Sequence, residues 1–121
     1  MFSITSARYF LYLEPTDMRK SFDGLCGLVS NKLGQNPMSG DLFIFVNKPR
    51  NRIKLLRWEP GGFVLFYKRL EKGTFHLPKQ ATANSKNQLL DYSQLVMIIN
   101  GISLEKAKKH SRFYQQKVVK N

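Results

Sequence analysis

Apolar positions change period several times along the chain, and each change marks an element. Residues 9–13 are a short aromatic and aliphatic run that stops at Glu14-Pro15, which predicts a strand. From Met18 the apolar residues fall at 18, 22, 25, 29 and 33, a spacing that puts them on one face of a helix. Thr16 stands where an N-cap belongs, Asp17 suits the positive end of the helix dipole, and Gly34 stops the helix. Residues 41–47, 52–59 and 63–70 read as three strands, joined by turns at Lys48-Pro49-Arg50-Asn51 and Pro60-Gly61-Gly62. A further turn at Glu71-Lys72-Gly73 leads into a short edge strand over 74–77, ended by Pro78. Residues 79–88 are polar and without period, as in a mobile loop. Residues 94–100 form a short helix, capped by Asp91 or Ser93 and stopped by Gly101.

Together these elements predict an α+β fold: a curled antiparallel β-meander of four to five strands packed on one N-terminal helix, with a short C-terminal helical segment. Strands as apolar on both faces as 41–47 need cover on both. The helix from Met18 supplies one side; sheet curling, a C-terminal helix or a partner subunit would supply the other, so a homo-oligomer stays open. Residues 1–102 are expected to form a single domain. Residues 103–121 form a basic tail, in which Leu104, Ala107, Phe113 and Tyr114 permit a helix without requiring one.

Composition narrows the function. The chain has 121 residues, 42% of them hydrophobic, enough for one packed core. Its longest apolar run, residues 95–99, is far short of the roughly 20 residues of a membrane span, and no secretory leader is evident. A cytoplasmic protein without membrane contact is expected. Cys26 is the sole cysteine and excludes an internal disulfide or thiolate zinc cluster. Its neighbours are those of a helix interior, so it reads as a small buried hydrophobe. The net charge of +12 is concentrated: nine bases against two acids between Lys48 and Lys79, and six against one from Ser103 onwards. Like charge crowded in this way repels itself, and an anionic polymer relieves it. A solvated basic surface kept for solubility is the plainer alternative.

Catalytic chemistry finds little support. His76 and His110 are the only imidazoles, and neither has a metal-ligand spacing. The eight carboxylates fall mostly at caps and turns, and none lies mid-strand, where a metal nuclease would mount it. No catalytic residue, metal or cofactor is expected, although metal-free RNA cleavage by basic residues and a tyrosine needs no motif. The strongest constellation is a basic hairpin. Lys48, Arg50 and Arg52 crowd one turn, Lys54 and Arg57 continue along its strand, and Lys68 and Arg69 lie on the next. Paired strands bring side chains within about 5 Å, so these seven could form one nucleic-acid-binding patch. Strand alternation puts Arg57 on the face opposite Arg52 and Lys54 unless a bulge intervenes. Tyr67 and Trp58 offer stacking surfaces for unpaired bases, with Trp58 the better candidate for the core.

Several blocks carry a resemblance. Residues 14–25, EPTDMRKSFDGL, resemble the "PxDMRKxFDGL" opening of the TnpB accessory proteins of insertion sequences, the Orf2-like family of insertion sequence sixty-six. Asp41-Leu42-Phe43-Ile44-Phe45 with Asn47-Lys48 and Arg52-Ile53-Lys54-Leu55-Leu56 is similar to that family's "LFVFxNRxRxRIKLL". Residues 61–75 resemble "GFxLxYKRLExGxF", and Gln94-Leu95 through Gly101-Ile102 resemble its closing "xQLxxLLxGI". The likeness runs from Tyr9 to Ile102 in the same order and spacing; the basic tail departs from it. It implies a non-catalytic accessory of transposition, acting beside a separate transposase subunit of the same element. The much larger RNA-guided nucleases that share the TnpB name are unrelated. Two readings follow: a nucleic-acid binder, with DNA favoured over RNA, or a protein–protein adaptor for the transposase. A small toxin-like ribonuclease is a distant third. Asp17, Met18, Arg19 and Lys20, at a helix N-terminus, suit partner binding as well as DNA binding, and capping plus solvated charge would also account for them.

Overall fold

A computed structural model describes residues 7–79 and 85–101. In chain order they form β1 (Tyr9–Tyr12), α1 (Phe22–Asn31), β2 (Leu42–Val46), β3 (Arg52–Glu59), β4 (Gly62–Arg69), β5 (Asn87–Leu90) and α2 (Tyr92–Asn100). The strands make one open sheet in the order β4-β3-β2-β1-β5. The fold is α+β, as expected, and β2, β3 and β4 form the antiparallel meander. β1 differs: it pairs parallel to β2, with Tyr9 opposite Leu42 and Leu11 opposite Ile44, because α1 carries the chain back between them. Hairpin turns set antiparallel pairing locally, whereas a crossover through a helix does not declare itself in the strand pattern.

Every residue of β1 and β2 is buried, as strands covered on both faces must be. On one face Phe10, Tyr12, Phe43, Phe45 and Leu56 pack with Leu25, Val29 and Leu33 of the α1 segment. The ring pairs Phe10–Phe43 and Tyr12–Phe45 lie 5.8 and 6.0 Å apart. On the other face Leu11, Leu42, Ile44, Val46, Ile53 and Leu55 pack with Leu95 and Ile98 of α2 and with Phe75. A helix on each face thus provides the cover that two-sided apolar strands need.

Three boundaries depart from expectation. α1 starts at Phe22, with Ser21 as N-cap, rather than after Thr16. Residues 17–20 form a turn instead, in which the Asp17 carboxylate accepts from the Arg19 backbone N–H at 2.9 Å and the Lys20 N–H donates to the Asp17 carbonyl. Met18 still packs on the α1-side core, which explains why the apolar spacing runs on past the helix. Residues 74–77 are not a strand: Phe75 is buried, and its N–H donates to the Arg50 carbonyl at 2.6 Å. The fifth strand is β5, which begins within the stretch expected to be a mobile loop and runs two residues past it, and it pairs antiparallel with β1. α2 matches closely, with Asp91 and Gln94 forming a reciprocal capping box and Gly101 in the left-handed conformation at φ 70°. The tail over 103–121 and His110 lie outside the described residues.

Candidate nucleic-acid interface

The β2–β3 turn is built by asparagine. The Asn47 side-chain oxygen accepts from the Asn51 and Arg52 backbone N–H groups at 3.0 Å, and its amide donates to Asn51 Oδ1 at 2.7 Å. Arg50 takes a left-handed backbone, φ 59°, at a cost of about 1 kcal/mol for a residue with a Cβ. Lys48, Arg50 and Arg52 are exposed around this turn.

Beside it runs the 15–20 segment. The Thr16 N–H donates to the Val46 carbonyl at 2.9 Å, and Lys54 holds the rest. Lys54 is buried, at 6% exposure, and its ammonium donates to the Met18 and Lys20 carbonyls at 2.7 Å each. It also lies 4.7 Å from the centre of the Tyr67 ring. Arg19 clamps the Asp17 carboxylate with Nε and Nη2, at distances down to 2.7 Å, and these bonds hold its pKa down to about 2. The Lys20 stem folds over Gly24 of α1, where a Cβ would stand 3.2 Å from it.

Two adjoining grooves result. One of about 410 Å³ is walled by Pro15, Asp17 and Arg19 on one side and Asn47, Lys48 and Arg52 on the other. The second, about 360 Å³, is bounded by Arg52, Tyr67, Arg69 and Glu71, so Arg52 belongs to both. Arg52 and Arg69 are direct cross-strand partners, an arrangement of like charges that is unfavourable by itself. Glu71 offsets it in part through an exposed ion pair with Arg69 at 2.7 Å.

The seven bases of the hairpin therefore do not share one surface. Lys48, Arg50, Arg52 and Arg69 gather at one end of the sheet, and Arg19 joins them from the other expected cluster. Lys54 is an internal strut. Arg57 lies on the α2 side of the sheet, where its Nε donates to the Gly40 carbonyl at 3.1 Å. Lys68 is on that side too, donating to the Ile99 carbonyl at 2.7 Å, where its charge suits the C-terminal end of α2. Met18 is half-buried and faces the core. Asn47 and Glu71 were not singled out from the sequence; an asparagine opening a turn is the signal for the first, and the second carried none. Trp58 stands edge-to-face with Phe63, ring centres 4.9 Å apart, at the far end of β3. Among the described residues no group of three His, Cys, Asp or Glu side chains could hold a metal, and no helix is long and apolar enough to cross a membrane.

A mixed sheet with a helix on each face, and with Arg19, Lys48, Arg52 and Arg69 lining paired grooves, defines a small α+β domain with a cationic surface site. The chain belongs to the family described as IS66 Orf2 like protein, whose profile matches residues 7–109. Two proteins of Sinorhizobium fredii are similar to it. The uncharacterized protein y4jC is 35% identical over 71 residues, covering 59% of this chain and 61% of y4jC, so the likeness spans less than two thirds of that relative. The uncharacterized protein y4hO is 33% identical over 98 residues, 80% of this chain and 82% of y4hO. No solved structure matches significantly. At the level of the family the role is an accessory one related to transposition, and the family is not known as catalytic.

Proposed function

We propose that this chain is a non-catalytic transposition accessory protein that binds DNA at the grooved end of its sheet and assists a separate transposase subunit of the same element. One observation carries the reading: Arg19, Lys48, Arg52 and Arg69 line two adjoining grooves in which Asp17 and Glu71 are the acids, and exposed Arg50 stands on the turn beside them. Both acids are held in exposed ion pairs, which are worth little and exchange readily for phosphate. Lys54 supports this surface from within rather than adding charge to it, and Arg57 and Lys68 lie on the other face of the sheet.

The test is a titration of the full chain with duplex and single-stranded DNA at several salt concentrations. Replacing Lys48, Arg50 and Arg52 together by Gln lowers affinity at least tenfold and makes the salt dependence shallower by roughly two to three phosphate contacts. An unchanged salt slope, or no binding even in dilute buffer, rejects the reading. The adaptor reading draws on Pro15 and Asp17 in the wall of the first groove. It predicts the reverse result: transposase pull-down lost on Asp17→Ala with Arg19→Ala, while the Gln triple variant still captures transposase.

A further inference from the structure

We infer that the DNA taken at this site is unpaired, with one base stacked on the open face of Tyr67; this rests on the DNA-binding reading above and specifies the form of its ligand. Tyr67 is 49% exposed, far more than a core aromatic, yet it is not loose. The Lys54 ammonium lies over its ring at 4.7 Å and is itself pinned by the Met18 and Lys20 carbonyls. The ring thus has a fixed charge over one face while about half of the residue stays exposed.

The neighbours of Tyr67 are those a single strand needs. Arg69 lies two residues along β4 on the same face, about 6.6 Å away along the strand. Arg52 is the cross-strand partner of Arg69 and the diagonal neighbour of Tyr67. A base on the ring would have a guanidinium within reach of each flanking phosphate. The groove these side chains bound with Glu71, about 360 Å³, has room for a nucleotide. Paired DNA presents base edges and phosphates but buries its base faces in the stack, so stacking on the ring face requires an unpaired base. Trp58, the larger aromatic, is occupied by Phe63 at the other end of the sheet and offers no competing platform.

The full chain is titrated with a single-stranded 15-mer and with the duplex of the same sequence, using wild type, Tyr67→Phe and Tyr67→Leu. Tyr67 is half-exposed, so both variants should fold, and their thermal midpoints check this. Wild type is expected to prefer the single strand. Tyr67→Leu is expected to weaken single-strand binding on the order of 10- to 100-fold while leaving duplex binding within about twofold, and Tyr67→Phe to retain wild-type affinity. Equal loss on both ligands, no loss on either, or failure of Phe to substitute overturns the inference. If duplex binding persists and still responds to the Gln triple variant, only the stacking inference falls. If no DNA of either form binds, it falls together with the proposed function.

Discussion

Lys54 shows how far a residue's type can mislead about its place. A lysine in a basic hairpin suggests surface charge, but this one is buried and spends its donors on two backbone carbonyls and an aromatic face. Lys54→Met keeps the stem and removes the bonds, so it is expected to lower unfolding free energy by about 2 kcal/mol in a urea titration and to weaken DNA binding through a loosened groove wall. Lys54→Arg does not restore either property, because a planar fork cannot replace a point donor between converging carbonyls. Asp41 gives a second test. Burial alone would raise its pKa, but bonds from the Arg8 backbone and guanidinium, at 3.1 and 2.9 Å, and from Ser39 outweigh that and lower it. A carboxylate with a depressed folded pKa adds stability that is complete above the ordinary value near 4 and is lost as pH falls through the folded value. Unfolding free energy should therefore fall as pH drops below about 4, and Asp41→Asn should be less stable at pH 7 with a flatter acid limb. An unchanged acid limb in the variant would remove Asp41 from that account.

Among the elements, α2 is the one whose ends depend most on local chemistry. Nine residues are too few for a helix to persist alone, so its stability comes from Leu95 and Ile98 against the sheet and from the Asp91–Gln94 capping box. Asp91→Ala is expected to cost about 1 kcal/mol, read from thermal unfolding, with hydrogen exchange accelerated first at Gln94 and its neighbours. A cap candidate at Asp91 or Ser93 and the stop at Gly101 made this helix easy to read from sequence. α1 was less so: Met18 continues the apolar spacing but belongs to a turn organised by Asp17 and Arg19, and periodicity alone cannot separate a helix from a turn packing on the same side. β5 was the hardest. It is an edge strand with two leucines, one of them exposed, and its pairing partner lies more than 70 residues earlier in the chain, so nothing local marks it.

For the molecule as a whole, the α+β class and the two-sided burial of the central strands were legible because apolar content on both faces leaves few other arrangements. The place of β1 beside β2 was not, since strand order depends on where α1 lies and not on the composition of either strand. The candidate site was half legible. Alternation alone separated Arg57 from Arg52, but whether a long cationic side chain reaches solvent or folds back onto a carbonyl depends on groups distant in sequence, such as Ile99 for Lys68. The sheet order also bears on synthesis from the ribosome. β1 to β4 are complete by residue 69, yet the face lined by Leu11, Ile44 and Ile53 has no helix over it until residue 100 emerges. A nascent chain stalled in that interval carries a bare apolar sheet, and chaperone capture should peak there and end once α2 docks.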